Sequence, residues 1–191
     1  MKFFKAAGIM LLVSCTLFIQ AQHTERSMEH ETEAHDHSEE HEFKHHKISL
    51  VIGHTHIPAG NPDEGRVGTV IAPSWGIDYE YWFNHKWAVG LHTDLEMISY
   101  VIDNEERSEL ERERPFIISV VGLFKPINSL VVYVGPGIEL EKNENFMVYR
   151  FGVEYEFEMG KHWELSPGIF YDSKEGIYDS WSVGLAVGKR F

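Results

Sequence analysis

The chain has 191 residues, 43% of them hydrophobic and 25% charged, with a mean hydropathy of −0.27. Its 30 acidic residues outnumber its 17 basic ones, giving a formal charge of −13, and this excludes nucleic acid as a partner because phosphate binding needs a basic surface. Beyond the N-terminal segment no stretch reaches the roughly 18 apolar residues of a transmembrane helix, which excludes a helical span in the mature chain.

Residues 1–21 have the pattern of a secretory signal peptide. Lys2 and Lys5 form its charged start, residues 6–19 an apolar run too short to span a bilayer, and Ile19-Gln20-Ala21 a cleavage site after Ala21. Leu12-Val13-Ser14-Cys15 also fits a lipobox, which would make Cys15 a lipidated N-terminus, although Leu17-Phe18-Ile19 would then persist beside the anchor. Cys15 is the only cysteine, so cleavage after Ala21 leaves a mature protein without thiol or disulfide. Residues 22–46 are dense in Glu and His and almost free of aliphatic side chains. Such a composition cannot offset ordering entropy and predicts a disordered tail.

From residue 47 onward the chain alternates in short runs divided by turn signals, the period of strands with one apolar face. The first strand is expected over 48–57, before a Gly- and Pro-rich loop over 58–68. The second, over 75–83, puts Trp75, Ile77, Tyr79, Tyr81 and Phe83 on one face, and Gly76, Asp78, Glu80 and Trp82 on the other. After a turn at 84–86, the third strand (87–97) sets Trp87, Val89, Leu91 and Leu95 against Ala88, Gly90, His92, Asp94 and Glu96. Residues 99–114 are polar, of mixed charge, and predict a solvated loop. The fourth strand, 116–124, is a continuous apolar run whose pattern does not reveal its faces.

A turn at 125–129 leads to a strand over 130–141, with Glu139 and Glu141 on its polar face, and 143–145 is a loop. Over 149–158, Tyr149, Phe151, Val153, Tyr155 and Phe157 oppose Arg150, Gly152, Glu154, Glu156 and Glu158. A turn at 160–162 and strands over 163–172 and 178–191 complete the chain. In the last of these, Trp181, Val183, Leu185 and Val187 alternate with small residues up to the terminal Phe191. Eight strands of about ten residues, joined by alternately long and short connections, predict an all-β fold: an eight-stranded antiparallel up-and-down transmembrane β-barrel over 47–191. An even strand number puts both termini on one side, expected to be the periplasm.

The signal peptide, the alternating strands such as WGIDYEYWF and the terminal VGLAVGKRF together resemble the small outer-membrane barrels of the OmpA and OmpX type, and the layout is similar to barrels of the Bacteroidetes. The resemblance covers 47–191 and is architectural. Lys189 departs from it, standing where the pattern often has an aromatic or aliphatic residue. It implies a Gram-negative outer-membrane location after Sec export, assembly by the barrel-assembly machinery, contact with outer-membrane lipid and lipopolysaccharide, and a monomer.

An eight-stranded lipocalin turns its apolar residues inward. Here Trp75, Phe83, Trp87, Tyr149, Phe157, Trp163, Tyr171, Trp181 and Phe191 fall near strand ends on the apolar face, as two interfacial girdles require, so that face is expected to meet lipid. The lumen of eight strands is just wide enough for side chains. The inward charges Asp78, Glu80, Glu139, Arg150, Glu154 and Glu156 are therefore expected to form a plug centred on Arg150 among Glu139, Glu141, Glu154 and Glu156; a gated cation path is the alternative. Buried carboxylates need partners or protons.

In the tail, His30, His35, His37, His41, His45 and His46 lie among carboxylates, a donor set suited to Zn²⁺, Cu²⁺ or Ni²⁺. No cofactor is required by the sequence, and a solvated acidic tether is the alternative. His54 and His56, on one face of the first strand, form a further pair near the outer mouth. A lipid-modifying enzyme would draw on His92, Asp94 and Ser99, or on Asp172 and Ser173, but no nucleophile-elbow motif supports catalysis. The expectation is a structural or surface-interaction barrel without an open pore. A transport-related barrel with a metal-binding tail is the runner-up, and a lipid A-modifying enzyme the third reading.

Overall fold

The computed structural model describes residues 43–61, 66–104 and 107–191. In chain order the strands are β1 (His46–Asn61), β2 (Arg66–Trp82), β3 (Trp87–Glu96), β4 (Ser99–Asn104), β5 (Arg107–Glu113), β6 (Phe116–Ile127), β7 (Leu130–Leu140), β8 (Phe146–Tyr155), β9 (Phe157–Gly160), β10 (Trp163–Lys174) and β11 (Tyr178–Arg190). Every pairing is antiparallel. The sheet runs β11-β1-β2-β3-β6-β7-β8-β10 and closes through β10–β11, an eight-stranded barrel. β9 carries the line of β8 past Glu156 and also pairs with β10. Where β1 meets β11, the Phe191 amide donates to the His46 carbonyl at 2.9 Å and the His46 amide to the Phe191 carbonyl at 3.3 Å.

Alternation decides which face turns inward. Along β3, Ala88, Gly90, His92, Asp94 and Glu96 are buried while Trp87, Val89 and Leu91 are exposed. β6, whose pattern was silent, turns Ile117, Ser119, Val121 and Leu123 inward and Val120 outward. The outward face is apolar: Leu50 is 51% exposed, Ile77 52% and Phe151 54%. Phe83, Trp87, Phe157, Trp163 and Phe191 stand exposed at the short-turn end, and Trp75, Tyr149, Tyr171 and Trp181 toward the other. So large an apolar surface is a liability in water and an advantage in hydrocarbon. Inside, Trp82, Ala88, Val121, Leu123, Val131 and Tyr133 cluster near the short turns, with Phe43 and Phe170 packed against them. At the long-hairpin end Ile57, Ala72, Tyr100, Ile102, Phe146 and Tyr178 form a second cluster.

Two expectations are corrected. Residues expected in the 58–68 loop belong to strands, since the β1–β2 ladder continues through Pro58↔Thr69 to Asn61↔Arg66; backbone groups pair there whatever the Gly and Pro content. Residues 99–114 are not a plain solvated loop, because β4 and β5 form a two-stranded hairpin. The hairpin is held by Tyr100, Ile102 and Leu110, which pack on Ile57, Phe146 and Tyr178.

Close approaches tune the wall. A Cβ on Gly152 would fall 2.2 Å from Cζ of Tyr133, so this glycine makes room for an inward ring. The β10–β11 turn has positive φ at both Glu175 and Gly176, the pattern of a type I′ hairpin, closed by the Ile177 amide donating to Lys174 O at 2.9 Å. Between Trp75↔Leu95 and Tyr79↔Leu91 the β2–β3 ladder has no paired residues. There the Ile77 amide donates to Thr93 Oγ1 (2.9 Å), Thr93 Oγ1 donates to Ile77 O (2.7 Å), and the Thr93 amide donates to Asp78 Oδ1 (3.0 Å).

Candidate functional site: the charged interior and the outer wall

Inward positions place ionisable side chains in three tiers along the barrel. Nearest the short turns, Lys47 of β1 reaches Glu156 at 2.8 Å, Glu80 at 3.4 Å, and Glu154 and Glu164 at 3.5 Å. Lys125 pairs with Glu156, and Arg190 with Glu156 and Glu164. Lys125 and Arg190 also lie 4.7 and 4.6 Å from the Trp82 ring centre, a cation–π arrangement on both. This end opens into a cavity of about 520 Å³ lined by Phe43, Trp82, Lys125, Trp163, Glu164 and Arg190 among others.

In the middle tier Arg150 makes a bidentate pair with Asp172, Nε to Oδ1 at 2.8 Å and Nη2 to Oδ2 at 2.7 Å, with Asp94 at 3.8 Å and the Phe170 ring centre at 4.3 Å. His92 lies beside Tyr133, 3.8 Å from Asp78 and 3.9 Å from Glu80. In the third tier Glu139 pairs with Arg112 and, at 3.2 Å, with Lys174, and accepts from the Tyr178 hydroxyl at 2.6 Å. Lys174 also faces Glu96 at 3.6 Å. The Arg112 guanidinium lies over Phe146, 4.4 Å from its centre, and donates to the Glu144 carbonyl at 2.8 Å. Glu141, in the loop beyond β7, is pushed up by burial, but the Asn143 and Glu113 amides that donate to it outweigh this and hold its carboxyl below its usual range.

Glu80, Glu139, Arg150 and Glu156 are buried, while Asp78 and Glu154 are half-buried, so the network expected from the sequence is placed inside. Its pairing differs. Arg150 does not sit among Glu139, Glu141, Glu154 and Glu156; it pairs with Asp172 and Asp94. The registers explain this, since Arg150 lies opposite Asp172 on β10 and Gly135 on β7, whereas Glu139 lies opposite Phe146, further along the barrel. Sequence reasoning missed Lys47, Lys125, Arg112 and Lys174, the cations at the ends of the network, and did not find Glu164 as a partner of Lys47 and Arg190 or Asp172 as the partner of Arg150.

His30, His35, His37 and His41 lie outside the described residues. His45 and His46 sit at the barrel rim: His45 Nδ1–H donates to Trp82 O at 2.7 Å, and His46 Nδ1 is 2.8 Å from the Tyr79 hydroxyl. His54 and His56 share the outward face of β1, with His56 paired to Trp181 toward the long-hairpin end. The pieces of a catalytic constellation are not assembled. His92 and Asp94 are buried, Ser99 is exposed on the hairpin, and Asp172 and Ser173 occupy opposite faces of β10.

No family model matches the chain, and no curated protein matches it. Solved structures do. Ail, the attachment invasion locus protein of Yersinia pestis, solved with the heparin analogue sucrose octasulfate, is 12% identical, with 78% of this chain and 100% of that chain covered at a TM-score of 0.54. Neisserial surface protein A is 11% identical, over 76% of this chain and 97% of its own, at 0.52. The outer membrane protein OprG from Pseudomonas aeruginosa is 11% identical, over 78% and 97%, at 0.52. The shared feature is the fold, that of the small eight-stranded outer-membrane β-barrels.

Proposed function

We propose that this protein is an outer-membrane barrel that passes no ions and acts through the surface it presents, as a structural or surface-interaction protein. The observation that carries the reading is the stack of buried ion pairs at Lys47, Arg150 and Lys174, whose side chains are 1%, 3% and 0% exposed. Water or ions moving through would have to break these pairs. The cluster around Ile57, Ile102 and Phe146 adds an apolar cap above them. In this reading the chain is exported by the Sec route, loses residues 1–21, is inserted by the barrel-assembly machinery as a monomer, and keeps both termini in the periplasm. Its partners are outer-membrane lipid and lipopolysaccharide, with the β4–β5 hairpin outermost.

Planar-bilayer recording of the full mature chain tests this. The expected trace is flat, and a reproducible open state with cation selectivity overturns the reading in favour of a gated path.

One observation favours a second reading, a periplasmic metal-gathering role for the tail. The Trp82 carbonyl accepts from His45 Nδ1–H, and the neutral ring then carries its lone pair on Nε2, from which it can ligate a metal. Zinc calorimetry on the full chain, against a variant with the tail histidines replaced by asparagine, tests it. Equal binding by the two removes the idea.

A further inference from the structure

The outward row of β1 begins Ile48, Leu50, Ile52 and then changes character to His54 and His56. Hydrocarbon-facing packing asks for no imidazole at either place. Residues two apart on a strand share a face, and these two rings have centroids 4.9 Å apart. His56 is held in place, its ring stacked on its cross-strand partner Trp181 with centroids 3.8 Å apart and planes within 9°. Among the described residues neither imidazole has a hydrogen-bond partner, so a ring nitrogen of each is available.

The spacing suits one shared ion. A metal about 2.0–2.1 Å from one nitrogen of each ring lies roughly 3.2 Å from each ring centre. The centres then stand about 4.5 Å apart for a right angle at the metal and about 5.2 Å for a tetrahedral one. The observed 4.9 Å falls between the two. Turning a ring about its own metal–nitrogen bond changes neither distance, so the 78° between ring planes is compatible with chelation.

We propose that His54 and His56 form a bidentate site for a borderline divalent ion (Cu²⁺, Zn²⁺ or Ni²⁺) on the outer wall, with its remaining positions filled by oxygen ligands. Copper binds most tightly, as expected for nitrogen donors. The site rests on the barrel wall alone and is independent of the tail.

The stacked Trp181 supplies the readout, because bound Cu²⁺ quenches a neighbouring indole. Full-length protein in detergent, with His23, His30, His35, His37, His41, His45 and His46 changed to Asn to silence the tail, is titrated with Cu²⁺ while tryptophan emission is followed. The expected result is a saturable quench, reversed by chelator and relieved by competing Zn²⁺. In Trp181→Phe the saturable component disappears. In His54→Leu, which places an apolar side chain on an apolar face and leaves the stack intact, half-saturation moves up by more than the roughly 10–100-fold that loss of a mere supporting contact costs. Folding of each variant is checked by its heat-dependent gel shift. A midpoint that moves by no more than about 100-fold in His54→Leu overturns the proposal, as does a non-saturating quench in the parent protein.

Discussion

Removing the carboxylate of Asp172 tests the physics of the barrel interior most directly. Asp172→Ala deletes both hydrogen bonds to Arg150, at 2.8 and 2.7 Å, in a place where the two side chains are 1% and 3% exposed. Hydrogen bonds to charged groups contribute about 1.5–3 kcal/mol each, and breaking one side of a buried pair costs about 3–5 kcal/mol because the surviving charge is left without compensation. Asp94 stands 3.8 Å from Arg150 and offers partial relief, so the lower part of that range, about 3–4 kcal/mol, is expected. Urea unfolding of the barrel in lipid vesicles, followed by tryptophan emission, measures it. The double variant Arg150→Met/Asp172→Leu removes the bidentate pair and leaves only Asp94, 3.8 Å from Arg150, without its cation, so it is expected to lose less stability than Asp172→Ala. Should Asp172→Ala cost less than about 1 kcal/mol, or the double variant prove less stable than the single one, the picture of a charge held by its partner is refuted.

Four further outcomes are expected. Gly152→Val drives its side chain into the Tyr133 ring and costs about 1–3 kcal/mol by overpacking, with part recovered in Gly152→Val/Tyr133→Leu, read as the temperature of the gel-mobility transition. Phe146→Ala empties a position that is 1% exposed and removes the ring beneath Arg112; about 3–5 kcal/mol is lost, and limited proteolysis is expected to cut first within β4–β5. Gly176→Ala places a side chain at φ 73° and costs about 1–2 kcal/mol, measured in the same urea series, whereas Lys142→Ala, on an ion pair that is 79% and 58% exposed, changes stability by no more than about 0.5 kcal/mol.

The parts of the fold legible in the sequence were those whose faces differ in polarity. The runs Trp75–Tyr81 and Tyr149–Tyr155 set apolar residues on one face against charged residues and glycine on the other, so strand, face and barrel follow from them. β6 stayed ambiguous because both its faces are apolar and only Ser119 marks the interior. The β4–β5 hairpin was hidden because the surface that orders it, Ile57, Phe146 and Tyr178, comes from strands far away in the chain. The interior acids were visible and their partners were not, for one reason. Lys47, Arg112, Lys125 and Lys174 lie at points taken for a domain edge, a loop, a turn and a connection between strands. Long basic side chains lay their stems along the wall and carry charge inward from such positions, which strand boundaries alone do not reveal. Arg150 was found, but its partner depends on register, which was not readable from alternation.

The threonine that bridges β2 and β3 has a consequence for the lipid-facing wall. Thr93 supplies through one hydroxyl both the acceptor for the Ile77 amide and the donor for the Ile77 carbonyl. In a soluble protein a stray water would replace a lost partner, but acyl chains offer none. Exchanging that oxygen for a methyl, as valine does with almost no change of shape, would strand two main-chain dipoles against oil at once. A single atom thus acts as a stitch at mid-wall, and the stave it fastens is where the staves of this cask would part first.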